Sequence, residues 1–111
     1  MIRSFIIAVF ISACFFSVAQ SNGDRIIKVT LLGTGTPQPI MDRFGPSILV
    51  QDGGKALLFD AGRGCLQRLR QLKLEYDTLD AIFFTHLHSD HIVGLPDLWL
   101  TGSLISGREI H

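Results

Sequence analysis

The run Thr85-His86-Leu87-His88-Ser89-Asp90-His91 directly follows an apolar, strand-like segment, Ala81-Ile82-Phe83-Phe84. No other feature constrains this chain as tightly. The fold must let a buried strand deliver three imidazoles and one carboxylate to one place, all within six residues. In an extended segment side chains repeat every two residues, so His86 and His88 are expected on the same side. Neutral imidazole is the commonest borderline-soft ligand, and two of them on one side begin a zinc site. The chain must then turn, which presents Asp90 and His91 from another direction. One carboxylate and one imidazole suit a second metal, and paired ions about 3.5–4 Å apart are a hydrolytic arrangement. A single histidine is usually a surface or hydrogen-bonded residue; this concentration of ligand types at a strand exit reverses that reading.

The rest of the chain supplies a scaffold. Ile26–Leu32 reads as a strand, and residues 33–46, with three Gly and three Pro, as a loop. Gly33-Thr34-Gly35 is no phosphate loop, because no Gly-Lys-Ser/Thr follows. It is either a tight turn off the strand or a lining of the site. Ser47–Gln51 and Lys55–Asp60 read as two strands around Asp52-Gly53-Gly54, a hairpin turn. Cys65–Leu74 reads as a helix whose Leu66, Leu69 and Leu72 face the core. Its Arg63, Arg68, Arg70 and Lys73 form a solvated cationic side. Asp80–Thr85 is the strand that carries the histidines. Gly94-Leu95-Pro96 breaks the chain, and a new helix starts near Pro96. Leu98, Trp99 and Leu100 are core or pocket wall.

Composition sets limits. The 111 residues fit one small domain, and 47% apolar content supports a core. The formal net charge is zero, which argues against a strongly electrostatic nucleic-acid binder but not against a local basic patch. Met1-Ile2-Arg3, an apolar run from Ser4 to Phe16, and Ser17-Val18-Ala19 have the form of a cleavable export leader over residues 1–19, with cleavage before Gln20. The run is short for a membrane span. Ile11-Ser12-Ala13-Cys14 also has the form of a lipidation site, so a lipid anchor on Cys14 is the alternative. After cleavage at Ala19, Cys65 is left without a partner for an intrachain disulfide. It reads as a small apolar residue at a helix start.

His86-x-His88-x-Asp90-His91 resembles the histidine element of the metallo-β-lactamase-fold hydrolases. Other segments match in order: Ile26–Leu32 into Gly33-Thr34-Gly35-Thr36-Pro37, then Arg43, Gly45-Pro46-Ser47, and Phe59-Asp60-Ala61-Gly62. This order resembles the ribonuclease Z-like branch, and Thr85 to Thr101 most resembles exported arylsulfatases of that branch. The resemblance covers residues 26–111. It departs from ribonuclease Z proper at Gly62-Arg63-Gly64-Cys65-Leu66-Gln67, where that family has Gly-Glu-Gly-Thr-Gln, and at Ser89, where it tends to have Gly.

The resemblance implies an α/β fold, the N-terminal half of a metallo-β-lactamase-type αββα sandwich, over residues 20–111. It implies two Zn²⁺ ions in the complete enzyme, His86 and His88 holding the first, Asp90 and His91 the second, with Asp90 the residue nearest the chemistry. Asp60 is expected to orient the histidine loop by hydrogen bonds, or else simply to cap a turn; Thr85 is expected to support the loop. His111 is too close in sequence to match the next ligand. The first functional expectation is an exported zinc hydrolase of small sulfate or phosphate esters, arylsulfatase-like, with nucleic acid not expected as a partner and a homodimer as a compatible assembly. A ribonuclease Z-type tRNA endonuclease is the second, and a non-catalytic fragment or binding module the third. The fragment by itself is expected to be inactive.

Overall fold

A computed structural model describes residues 26–106. The leader, Cys14 and His111 lie outside them. Four strands form one sheet in the order β1-β2-β3-β4: β1 Lys28–Gly33, β2 Ser47–Asp52, β3 Lys55–Phe59 and β4 Ala81–Phe83. The first three are antiparallel neighbours, and β4 pairs parallel to β3. Helix α1, Cys65–Gln71, and a short 3₁₀ turn, Tyr76–Thr78, connect β3 to β4. A one-turn helix α2, Ser89–Ile92, and a longer α3, Leu95–Ser106, follow. This is an α/β half-sandwich, as expected.

Local chemistry explains the joints. Gly53 and Gly54 both have positive φ, 54° and 87°. A two-residue turn with that geometry matches the right-handed twist of the flanking strands. At the same end, Asp80 accepts the Ala56 amide and the Lys55 ammonium, each at 2.8 Å, which fixes the start of β4 against β3.

Two expected elements are shorter than the apolar pattern suggests. The helix expected to reach Leu74 ends at Gln71. Lys73 takes a left-handed conformation (φ 58°), its amide bonds the Arg70 carbonyl, and the Leu74 amide bonds the Leu69 carbonyl. That pair of bonds is a Schellman closure built on a lysine where glycine is usual. The strand expected over Asp80–Thr85 is only Ala81–Phe83, because its partner β3 ends at Phe59. Beyond that register the Thr85 amide turns to a side chain instead.

The two faces of the sheet differ. Leu49, Ala56 and Leu58 point at α1 and α3 and form a core with Leu66, Leu69, Leu79 and Leu98. Leu49 and Leu58 are wholly buried, so truncating either to Ala costs about 2–5 kcal/mol. The opposite face carries in-register rows, Val29-Val50-Leu57-Ala81 and Leu31-Ile48-Phe59-Phe83, with Phe59 and Phe83 stacked at 5.2 Å. Leu31 is 63% and Phe83 46% exposed there. A sheet apolar on both faces is one built to be covered on both.

Candidate metal centre

The strands place the site at one end of the sheet. β1, β3 and β4 run the same way, so the loops after Gly33, Phe59 and Phe83 meet at that end. Asp60 sits at the centre of it. Its backbone is left-handed (φ 62°), a conformation that aspartate tolerates better than most residues. Its amide donates to the Phe83 carbonyl at 2.8 Å, and its side chain is buried beneath the histidine loop.

Three donors converge on the Asp60 carboxylate. The Thr85 amide reaches Oδ1, and the Thr85 hydroxyl and His91 Nδ1 reach Oδ2, each at 2.8 Å. Burial alone pushes this carboxyl up. The hydrogen bonds from the Thr85 amide, His91 and the Thr85 hydroxyl outweigh it, and the group titrates below its ordinary 3.8.

This network fixes two imidazole tautomers. The Thr85 hydroxyl gives its proton to Asp60, so it accepts from His86 Nδ1 at 3.0 Å. His91 Nδ1 gives its proton to Asp60 directly. In the neutral rings, Nε2 of both His86 and His91 is then a bare lone pair. His86 Nε2 faces His88 Nδ1 at 3.1 Å. Two nitrogens bound to one tetrahedral zinc at ~2.0–2.1 Å stand about 3.3 Å apart, so this pair is spaced to share an ion. His91 Nε2 lies 3.7 Å from Asp90 Oδ2, a second nitrogen–oxygen pair. The His86 and His91 ring centroids are 3.9 Å apart, which makes the two pairs adjacent. His86 with His88, and His91 with Asp90, are thus the donor pairs available to hold metal ions. Among the described residues no group of three or more such side chains closes around a single ion.

The structure brings together all six residues singled out in the sequence: Asp60, Thr85, His86, His88, Asp90 and His91. His86 and His88 converge from the loop beyond the end of β4, where His88 is still extended (φ −67°, ψ 148°), and Asp90 and His91 follow on the one-turn helix α2. Cys65 is buried with its thiol pushed up to about 12, chiefly by desolvation, so it is no nucleophile. Gly94, read in the sequence only as a break, packs directly on the Ala61-Gly62 backbone. A glycine three residues past His91 was the available signal. Arg68 lies 4.6 Å over the Phe44 ring. With Arg43 it lines a groove of about 300 Å³ between β1, the 33–46 loop and α1. Asp42 lines the same groove, so both signs of charge meet there. No helix among the described residues is long and apolar enough to cross a membrane.

Known proteins resemble this chain in sequence and in fold. A ribonuclease Z of Mycobacterium marinum is 51% identical over 76 residues, which are 68% of this chain and 27% of the relative. The chain thus spans about a quarter of the length of the curated relatives it matches. The crystal structure of human tRNase Z, short form, superposes with a TM-score of 0.66 at 39% identity, over 72% of this chain and 30% of that one. The metallo-β-lactamase fold protein YhfI of Bacillus subtilis superposes with a TM-score of 0.65 at 29% identity, over 70% and 32%. Relatives named as ribonucleases run against the expectation of a partner other than nucleic acid. The family model described as Anti-Pycsar protein Apyc1 matches residues 27–111. With its ribonuclease Z-like sequence and metallo-β-lactamase fold, the chain belongs to the Anti-Pycsar protein Apyc1 family.

Proposed function

We propose that the whole protein is a metal-dependent hydrolase of ribonucleotide phosphodiesters, of the ribonuclease Z type. One observation carries this reading: a single buried carboxylate, Asp60, sets the tautomers of His86 (through Thr85) and His91, and leaves Nε2 of each neutral ring as the lone-pair nitrogen. A ligating imidazole needs just such a partner on its other nitrogen. His86 and His88 would hold one zinc, and Asp90 and His91 a second. Zinc held there supplies Lewis acidity toward a phosphoryl oxygen and lowers the pKa of water.

The chain's own residues do the positioning. Asp60 and Thr85 hold the rings in one orientation before any metal arrives, so little ordering is left to the binding step. The exposed edges of His86 and His88 face solvent, where a substrate approaches. Further ligands would come from the remainder of the whole protein, since each pair here offers two.

The names of the relatives favour phosphodiesters over the sulfate esters expected from the sequence. The expected leader over residues 1–19 is compatible with this reading if the enzyme is exported and meets its ribonucleotide outside the cytoplasm. The test is hydrolysis by the whole zinc-loaded protein of an oligoribonucleotide, a small aryl phosphodiester and an aryl sulfate. Phosphodiester turnover well above sulfate turnover supports the reading; the reverse order returns it to the arylsulfatase class.

A further inference from the structure

We propose that Gly94 is a positioning residue for His91, an inference that rests on the metal reading of the histidine cluster. His91 is held at two points. Its ring bonds Asp60 Oδ2 at 2.8 Å, and its carbonyl accepts the Ala61 amide at 2.7 Å. Ala61 directly follows Asp60, so one short turn grips both ends of the residue. The Ala61 carbonyl in turn accepts the Gly94 amide at 2.8 Å. Ala61 thus donates to His91 and accepts from Gly94, and the depth to which Gly94 seats sets where His91 lies.

Space, not backbone conformation, demands glycine here. Gly94 is not among the residues of positive φ, so its backbone suits any amino acid. It also stands just before α3 with its carbonyl accepting the Leu98 amide at 3.1 Å, the place where Ser, Asp or Asn caps a helix better than Gly by a few tenths of a kcal/mol. Yet a Cβ at this position would lie 2.4 Å from the Gly62 carbonyl oxygen, 2.9 Å from that of Ala61 and 2.9 Å from Cys65 Sγ.

None of these neighbours can retreat. The Gly62 amide bonds the Pro46 carbonyl at 3.0 Å, and a Cβ on Gly62 would itself meet the Gly45 carbonyl carbon at 2.4 Å. Cys65 is wholly buried. Relief therefore falls on Gly94. Restoring ordinary van der Waals contact needs a shift of about 1 Å, from 2.4 to 3.4 Å. A shift of that size breaks hydrogen bonds of 2.7 and 2.8 Å and carries the end of α2, with His91, away from Asp60.

The test is calorimetric titration of the metal-free protein with Zn²⁺, comparing Gly94→Ala and Gly53→Ala with wild type. Gly53 has positive φ and open space around its Cβ, at the other end of the sheet, so Gly53→Ala destabilises by strain alone. The expected result is a zinc affinity at least about tenfold lower for Gly94→Ala, the size of a lost supporting contact, and unchanged for Gly53→Ala. Wild-type affinity in Gly94→Ala overturns the inference, and so do equal losses in the two variants. A wild type that takes up no zinc overturns the metal reading, and this inference with it. If Gly94→Ala does not fold, amide exchange in wild type decides: protection of Ala61 and Gly94 should rise when zinc binds, and unchanged protection overturns the inference.

Discussion

Asp60 Oδ2 and His91 Nδ1 stand 2.8 Å apart across 31 residues of sequence, and this one contact ties the end of β3 to helix α2. Asp60→Asn keeps the shape but loses the charge and one of the acceptor oxygens for three donors. Zinc affinity should fall by about 10–100-fold, and stability by about 1–3 kcal/mol, the scale of hydrogen bonds to a charged group. Zinc titration and urea unfolding of the metal-free protein check the two effects separately. Unchanged values in both would remove Asp60 from the site.

How much of this was legible in the sequence depends on the range of the contact. The hairpin at Gly53-Gly54 and the burial of Leu66 and Leu69 follow from local pattern, because alternation and turn chemistry act within a few residues; Leu72, expected in the core beside them, is 42% exposed because the helix has ended at Gln71. The early end of α1 was not legible: Leu72 and Leu74 continue the apolar spacing, and only the left-handed Lys73 shows that the chain has turned. The end of β4 at Phe83 was not legible either, since the apolar run continues through Phe84 and only the end of its partner β3 stops the pairing. The role of Gly94 depends on Gly62 and Gly45 from distant loops, and no local pattern reports such a contact.

Cys65 gives a pH signature. Its thiol is raised from 9.0 to about 12 in the folded protein. The unfolded chain therefore loses this proton first, and stability falls as pH rises from 9.0 toward 12. The slope from this group is at most about 1.4 kcal/mol per pH unit. Urea unfolding between pH 8 and 10.5 should show the slope in wild type and a flatter one in Cys65→Ala, on the order of one proton less. An identical slope in both proteins would contradict the assignment.

The outer sheet face should be sticky whenever it is uncovered. Residues 20–111 alone are expected to bind a hydrophobic dye and to associate, because Val29, Leu31, Ile48 and Phe83 lie on one exposed apolar face. Leu31→Lys should reduce both effects. A monodisperse fragment that binds no dye would show that this face needs no cover.

The expected leader has its own check. N-terminal sequencing of exported protein should begin at Gln20, since Ser17 and Ala19 satisfy the small-residue rule. A start at Cys14 carrying lipid, or at Met1, would contradict it.

The proposed metal centre for phosphodiester hydrolysis, His86, His88, Asp90 and His91, is tested most directly by measuring bound zinc and oligoribonucleotide turnover together in the whole protein, for wild type and His88→Ala. His88→Ala should lose zinc and at least about 100-fold in rate, as expected for removal of a proposed direct ligand. Equal zinc content and equal turnover in the two proteins would contradict it.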